Sequence, residues 1–272
     1  FTNNLISLPF YKSITKKFYI KCDILRRIKR SFRAFLSWGK HFVSRRKYYK
    51  GLNYLSALDV ECDFIEKKVG HTITPVHLKY MSKNLLSVPK MKTGVENVIL
   101  VNHSGDPSGN HMDVLESLSK CVNENTKILM PLSYGCSEKY RQVIEKFAEE
   151  KGLSKNLEII SDYMDYAKYA EFLSGVSVAV FGHVRQQAYN NIKMLLQMGT
   201  HVFMYKDSIV YQQLVHDGYK LYSIEDDLSA DITSLKFDEG LYEHNKNLFF
   251  KLNDYDSYLS SLKNEMNQLF GV

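Results

Sequence analysis

The sequence of 272 residues contains only four cysteines, and none of them lies at the short spacing that a zinc site requires. Cysteines scattered in this way indicate reduced thiols, mostly packed in the interior of a cytosolic protein. There is no apolar run long enough to cross a bilayer, and no signal peptide precedes the predicted fold. The chain opens on Phe1 instead of a methionine, which indicates a fragment or a processed protein.

Two common nucleotide-binding signatures are also missing. No P-loop is present, and no Gly-x-Gly-x-x-Gly follows the first strong strand, which argues against an NTPase and a dinucleotide oxidoreductase. One Asp-x-Asp pattern, Asp254 to Asp256, matches metal-dependent transferases. Because it opens the last predicted helix, we interpret it as a helix cap. The sequence therefore predicts chemistry without a metal ion and without an organic cofactor.

Acidic residues are nearly absent from the first fifty positions. Residues 1–50 hold fourteen Lys or Arg and one acid, a net charge of +13 in a chain whose total is +6. Two interpretations of this basic arm stay open: an amphipathic helix that lies on an anionic membrane surface, or a helix that packs on the body. Nucleic acid is disfavoured, because the aromatic residues lie on the apolar stripe. The stripe consists of Ile14, Phe18, Leu25, Ile28, Phe32 and Phe35.

Beyond residue 94, short apolar runs alternate with amphipathic stretches of ten to fifteen residues. This alternation predicts an α/β fold with a parallel sheet wound by right-handed crossovers. Strands are predicted over 97–101, 127–132, 157–160, 176–181, 201–205 and 220–222, and helices over 110–123, 137–151, 163–173, 188–198 and 208–217. Two further helices are predicted, over 51–68 and 254–270.

Two strand–loop–helix junctions are the most informative part of this pattern. The first runs from Val98 to His111 and the second from Val176 to Gln187. In each, a β-branched run ends in small and polar residues directly before a helix, whose unpaired N–H groups and positive dipole end suit a phosphate. Ligands of open α/β sheets bind at the carboxyl ends of the strands, where these loops lie. The alternative for each loop is a turn that only caps its helix.

The same residues carry a resemblance to a known family. Three segments, Asn102–His111, Met130–Gly135 and His183–Ile192, are similar in order and spacing to glycosyltransferase family 56, and the resemblance extends from about Val98 to Phe203. Known members are the bacterial 4-acetamido-4,6-dideoxygalactose transferases that build enterobacterial common antigen. The resemblance implies the GT-B architecture of two facing Rossmann-like domains, a thymidine-diphosphate sugar donor and a polyprenyl-diphosphate-linked sugar acceptor.

Transfer from such a donor requires a neutralised diphosphate leaving group and a base at the acceptor hydroxyl. Arg185 can pair with phosphate oxygens, and Gly105 permits close backbone approach. The catalytic candidates are Asp106, which can also be a helix cap, His103 and His183. The other predicted donor-binding residues are Ser104, Asn110, His111, Tyr134, Gln186, Gln187, Asn190 and Asn191.

The sequence and the resemblance together divide the chain into four parts. These are a basic helical arm over 1–50, the remainder of a shortened acceptor-side domain and a linker over 51–94, a donor-binding Rossmann-like domain over 95–250, and a helix over 251–272 that folds back across the cleft. The shortening is inferred because family members have a complete acceptor-side domain before this region, whereas fewer than a hundred residues precede Val98.

We expect an inverting, metal-independent glycosyltransferase of bacterial surface polysaccharide synthesis. Its expected location is the cytoplasmic face of the inner membrane, where the basic arm would make it a peripheral protein of the cell envelope. Two alternatives remain: a non-catalytic member of the same fold that binds a sugar nucleotide or an assembly partner, and a sugar-nucleotide epimerase.

Overall fold

The computed structural model of the chain describes residues 10–22, 51–76 and 87–271. The strands are β1 (Tyr54–Leu55), β2 (Thr74–Pro75), β3 (Val98–Val101), β4 (Lys127–Pro131), β5 (Leu157–Ile160), β6 (Val178–Phe181), β7 (His201–Met204) and β8 (Tyr222–Ser223). The α-helices are α1 (Ser13–Cys22), α2 (Asp59–Val69), α3 (His111–Leu118), α4 (Glu138–Glu150), α5 (Tyr166–Ser174), α6 (Tyr189–Met198), α7 (Ile209–His216), α8 (Glu239–Leu252) and α9 (Tyr255–Phe270). Short 3-10 helices cover Pro107–Gly109 and Ala230–Ser234.

Strands β3 to β8 form one parallel sheet in the order β5-β4-β3-β6-β7-β8. After β3 the chain adds β4 and then β5 on one side of β3. It then adds β6, β7 and β8 on the other side of β3. This is the doubly wound order of dinucleotide-binding folds, and the predicted α/β class is confirmed. Strands β3 and β6 are neighbours, with Leu100 paired with Ala179. The two strand–loop–helix junctions predicted from the sequence therefore follow adjacent strands. They lie where the order of the strands reverses.

Helices cover both faces of the sheet, so each face has its own core. Side chains alternate along β3: Leu100 enters one core, while Ile99 and Val101 enter the other. Leu195 of α6 lies in the first core and Leu115 of α3 in the second. Burial on both faces explains why the strands are near-continuous apolar runs in the sequence.

The helix predicted over 51–68 is wrong in its first half. Residues Tyr54–Leu55 form a strand, and the helix begins only at Asp59. Leu58 has an extended backbone, and its N–H donates to a carboxylate oxygen of Glu61 at 3.2 Å. This bond satisfies an N–H group at the helix start and places the first turn after Leu58.

Strands β1 and β2 pair in parallel, with α2 as the crossover between them. This small βαβ unit packs against α7 of the main sheet. The amide oxygen of Gln213 on α7 accepts the N–H of Val60 at 3.2 Å, which joins the unit to the body that contains the six-stranded sheet.

Helix α8 is not among the predicted helices. Its buried residues Leu241, Asn245 and Phe249 follow each other at a spacing of four. Asp238 caps the helix by accepting the N–H of Leu241 at 3.1 Å. Asn245 exchanges two hydrogen bonds of 2.9 Å with the backbone of Lys220 and so fixes the entry into β8.

The final helix, α9, begins where the sequence predicts it. Asp254 accepts the N–H of Ser257 at 2.9 Å, which confirms that this aspartate is a helix cap. Leu252 and Asn253, in the turn before α9, line the cleft described below. The placement of α9 itself across the cleft stays a prediction.

Helix α1 packs against the body through the first part of the apolar stripe. Ile14 and Phe18 contact the core on the α3 side of the sheet, while Lys16 and Lys17 are exposed. The rest of the stripe, from Leu25 to Phe35, lies outside the described residues. Among the described helices, none combines the length and the apolar character that crossing a membrane requires.

Candidate functional site

The loops after β3 and β6 are joined by one buried asparagine. Asn102 accepts the N–H of Gly182 at 2.9 Å and donates to the carbonyl of Gly109 at 2.9 Å. Its φ of 58° lies in the left-handed region, which asparagine tolerates better than most residues. The loops are in such close contact that a Cβ atom on Gly182 would lie 2.2 Å from the carbonyl oxygen of Gly109. The two junctions therefore form one structural unit.

Asn110 and His111, both predicted to bind donor, lie in the interior behind this unit. The amide of Asn110 donates to the carbonyl of Gly182 at 2.7 Å. The ring nitrogens of His111 lie 2.9 Å from the carbonyl oxygen of Ser104 and 3.2 Å from the hydroxyl of Tyr140. Burial lowers the pKa of His111 to about 4, so the ring is neutral at pH 7. Both residues hold the loops in place from behind.

Asp106 and Arg185 form an ion pair between the two loops. One carboxylate oxygen of Asp106 accepts both the N–H and the hydroxyl of Ser108, at 2.9 and 2.7 Å, which confirms its capping interpretation. The other oxygen lies 3.2 Å from Nη2 of Arg185, whose Nε donates to the hydroxyl of Ser108 at 2.9 Å. The amide oxygen of Gln187 lies 3.4 Å from the same hydroxyl. The charge of Arg185 is thus engaged by Asp106, and its side chain is not part of either cavity wall described below.

A cleft of about 970 Å³ opens beside the two loops. Its lining comes from the first turns of α6, from part of α7, and from residues 56–59 and Glu61 at the start of α2. Of the predicted donor-binding residues, this cleft brings together Tyr134, Gln186, Asn190 and Asn191.

Helix α6 begins in the cleft without a side-chain cap. Ala188, the residue before the helix, has a φ of 56°, a left-handed conformation that costs about 1–2 kcal/mol for a residue other than glycine. Such strain clusters at functional sites. The first-turn N–H groups of α6 have no partners within the helix, and the dipole adds positive potential. This end of α6 therefore suits a phosphate.

Lys193 also lines the cleft, although the sequence did not single it out. It lies one turn beyond Tyr189 on the same face of α6, with its Nζ 4.8 Å from the centre of the Tyr189 ring. Its spacing of three from Asn190 and four from Tyr189 is the signal that could have identified it.

Among the three catalytic candidates, His103 is the one that lines the cleft. Its Nδ1 is buried without a partner in the described part of the chain. Burial lowers the pKa of His103 to about 4, opposed by Asp106 and reinforced by Arg185. His183 is fully buried behind it, with ring centres 5.5 Å apart, and burial holds its pKa well below the usual value. A ligand can therefore contact His103 but not His183.

A second cavity of about 250 Å³ adjoins the cleft at the carboxyl ends of β4 and β5. His103, Tyr134 and Asn191 line both cavities, so the two are adjacent. The hydroxyl of Tyr169 is buried there and has no hydrogen-bond partner among the residues that the structure describes. The sequence analysis missed this cavity, whose other aromatic walls are Tyr163, Tyr166 and Phe172.

Three residues beside Tyr189 of α6 could together hold a metal ion. One ligand atom from each of Asp59, His216 and Asp217 lies within 4.8 Å of the others. The side-chain amide of Gln213 donates to Asp59 at 3.3 Å and to Asp217 at 2.8 Å. Since these protein contacts already engage both carboxylates, the cluster has a structural role in joining α2 to α7.

The pairing of the two loops can be tested with Asn102→Asp. An aspartate keeps the size of the side chain but cannot donate to Gly109 when ionised, and it buries an unpaired charge. We expect a loss of about 2–4 kcal/mol in the free energy of unfolding, measured by urea denaturation. The control is Asn125→Asp on the exposed surface, with an expected change below about 0.5 kcal/mol. Equal losses in the two variants would show that Asn102 does not hold the loops together.

Several solved glycosyltransferase structures share this fold. Sucrose-phosphate synthase from Thermosynechococcus elongatus has a TM-score of 0.61 at 12% identity, covering 84% of this chain and 62% of that chain. Anabaena HepE, solved in complex with UDP and glucose, has a TM-score of 0.57 at 10% identity, with coverages of 78% and 63%. A mutant of Thermobaculum terrenum O-GlcNAc transferase has a TM-score of 0.54 at 16% identity, with coverages of 81% and 45%. The chain thus has the Rossmann-like GT-B fold and spans less than two thirds of these proteins.

The family described as 4-alpha-L-fucosyltransferase, glycosyl transferase group 56, matches residues 49–266. The matched range contains both loops, the start of α6 and the walls of both cavities. It confirms the family resemblance found in the sequence. The chain belongs to glycosyltransferase group 56.

Proposed function

We propose that the protein transfers a sugar from a nucleotide-diphosphate donor to a sugar acceptor. The observation that carries this proposal is the uncapped start of α6, which opens into a large polar cleft at the reversal of strand order. A diphosphate is the ligand group that such a helix end recognises best. Membership of group 56 supports the reaction class.

In this proposal the donor spans both cavities. Its diphosphate binds at the start of α6, with Asn190 and Asn191 as amide donors and Lys193 as the cation. Its base enters the smaller cavity, where stacking on aromatic rings contributes about 1–3 kcal/mol for each base. Its sugar then lies near His103, which lines both cavities. The resemblance to family members points to thymidine as the nucleoside and to a 4-acetamido-4,6-dideoxygalactose-like sugar.

Lys193 replaces Arg185 as the cation that we assign to the diphosphate. Arg185 is paired with Asp106 across the loops, whereas Lys193 is on the cleft wall. Asp59, Glu61 and Asp217 also line the cleft, and their carboxylates disfavour a diphosphate close to them. Arg185 and Gln187 act on donor binding by holding the loop after β6 in place.

We propose His103 as the proton acceptor, because it is the catalytic candidate that lines the cleft. The acceptor hydroxyl attacks the anomeric carbon from the side opposite the diphosphate, which leaves with the electron pair of the broken C–O bond and inverts the configuration. The hydroxyl proton passes to the neutral ring of His103. Although burial lowers the pKa of this ring to about 4, a bound diphosphate favours the protonated form and so increases its basicity.

The acceptor and the location follow from the basic arm and from the family. Lys16 and Lys17 project from α1 while Ile14 and Phe18 face the body, so this helix can meet an anionic membrane surface through its charges. A polyprenyl-diphosphate-linked sugar would be presented at that surface. We therefore place the protein peripherally at the cytoplasmic face of the inner membrane, in surface polysaccharide synthesis.

Donor binding should depend on Lys193. We expect Lys193→Met to weaken thymidine diphosphate binding by about 1.5–3 kcal/mol, because it removes a charged partner of the phosphate. Calorimetric titration of the folded proteins measures this, with Lys155→Met on the exposed surface as the matched control. An affinity unchanged from the parent would remove Lys193 from the donor site. No detectable binding of any nucleotide diphosphate by the parent would overturn the proposed function.

Transfer should require His103 and no metal ion. With a thymidine-diphosphate sugar and a polyprenyl-diphosphate-linked sugar, we expect His103→Asn to lower kcat by at least about 100-fold while the affinity for the donor changes little.

Excess EDTA should leave the transfer rate of the parent protein unchanged. Loss of activity in EDTA and recovery with Mg²⁺ would contradict the metal-independent mechanism and bring Asp59 and Asp217 into it. Tight donor binding without turnover would favour a non-catalytic member, and turnover of the donor without acceptor would favour an epimerase.

Membrane attachment should be electrostatic. We expect the protein to co-sediment with anionic vesicles at low salt and to be released as the Debye length falls. Replacing Lys16, Lys17, Arg26, Arg27 and Arg30 by Gln should weaken this binding by several kcal/mol, at roughly 1 kcal/mol for each basic residue near the surface. The control variant replaces the exposed Lys139 and Lys146 on α4. Equal binding to neutral vesicles, or no effect of the arm variant, would show that the arm is not a membrane contact.

A further inference from the structure

The segment 10–22 is joined to both donor-site loops through Asn110. The side-chain oxygen of Asn110 accepts the N–H of Lys12 at 2.8 Å. The side-chain nitrogen of Asn110 donates to the carbonyl oxygen of Phe10 at 3.1 Å and to that of Gly182 at 2.7 Å. Asn110 is fully buried and has a φ of 52°. One side chain therefore links the segment, the loop after β3 in which it lies, and the loop after β6.

Asp113 adds a second buried link, because it caps α1 from another helix. Its two carboxylate oxygens accept the N–H groups of Ile14 and Thr15, each at 2.8 Å. These are first-turn N–H groups that have no partner within α1, and a carboxylate at this position is also favoured by the helix dipole. Both Asp113 and Thr15 are buried. The start of α1 is thus completed by α3, the helix that follows the first donor-site loop.

A third link passes through side chains to the loop after β3. The ring of Phe18 lies 6.3 Å from the ring of Tyr140, whose hydroxyl lies 3.2 Å from His111. His111 in turn bonds the carbonyl of Ser104 at 2.9 Å. Ser104 directly follows His103, which lines both cavities.

The buried links, and not the surface contact of this segment, decide its docking. Lys12 also pairs with Asp207 at 2.8 Å, but the Asp207 side chain is 56% exposed. An exposed pair of this kind stabilises docking little. The bonds of Asn110 and Asp113 to the segment are buried when it is docked, and buried hydrogen bonds to a carboxylate contribute more.

We propose that the segment 10–22 is a positioning element of the donor site, and that Asn110 and Asp113 are the positioning residues through which it acts. When docked, it holds the loops after β3 and β6 in the geometry that binds the diphosphate. This inference rests on the proposed function. Docking of α1 and binding of a nucleotide diphosphate are two coupled equilibria, and such coupling is reciprocal. If docking increases the affinity for the nucleotide by some factor, the bound nucleotide must increase the equilibrium constant for docking by the same factor.

The test compares Asp113→Ala with Asp238→Ala in the full-length chain. Asp238 also caps a helix, α8, but contacts neither loop. We expect Asp113→Ala to weaken thymidine diphosphate binding by about ten-fold and Asp238→Ala to leave it unchanged. Equal effects of the two variants, or no effect of either, would show that the segment only adds stability.

Hydrogen exchange on the parent protein gives a second readout, with the amide of Leu241 at the start of α8 as the control, because a bound ligand slows every amide that exchanges through global unfolding. Saturating thymidine diphosphate should slow amide exchange at Ile14 and Thr15 by a larger factor than at Leu241, although Ile14 and Thr15 lie outside the cleft walls. This measurement also decides the question if Asp113→Ala does not fold. Nucleotide binding without a larger change at these two amides than at Leu241 would overturn the inference and leave the proposed function standing. Absence of nucleotide binding would overturn both.

Discussion

The contact between the loops after β3 and β6 through Asn102 is the constraint on which the cleft depends. The loops approach to backbone contact, and a Cβ atom on Gly109 would lie 2.9 Å from the Asn102 amide nitrogen. An amide is required because it must accept from Gly182 and donate to Gly109 at the same time. From the loop after β6 the chain enters α6 through the left-handed turn at Ala188, which itself lines the cleft.

Charge is distributed unevenly at the loops and in the cleft. Arg185 is paired with Asp106, and burial lowers the pKa values of His103 and His183, so these three side chains add little positive charge. Positive charge in the cleft comes from the start of α6 and from Lys193, while carboxylates at the start of α2 and the end of α7 line the same cleft. In the function that we propose, this distribution orients an anionic donor, and neutral His103 accepts a proton.

The sequence predicted the sheet and its two junctions because parallel strands buried on both faces leave a strong apolar pattern. It could not tell which polar residues of the loops face the cleft. Asn110 resembles Asn190 in chemistry, but it is buried by contact with Lys12, 98 positions away. Helix α8 was not predicted because the polar residue Asn245 interrupts its apolar stripe. Asn245 is nevertheless buried, since it hydrogen-bonds the backbone of Lys220.

The two interpretations of the basic arm become compatible once the role of α1 is considered. Inserting the apolar face of α1 into a membrane would withdraw Ile14 and Phe18 from the core and break the bonds of Asp113 to Ile14 and Thr15. Attachment through Lys16 and Lys17 breaks none of these contacts, since both side chains are exposed on the docked helix. At roughly 1 kcal/mol for each basic residue near an anionic surface, the many Lys and Arg of the arm can hold the protein there without insertion. In the membrane-bound state that we propose, attachment is therefore electrostatic, and α1 stays packed on α3.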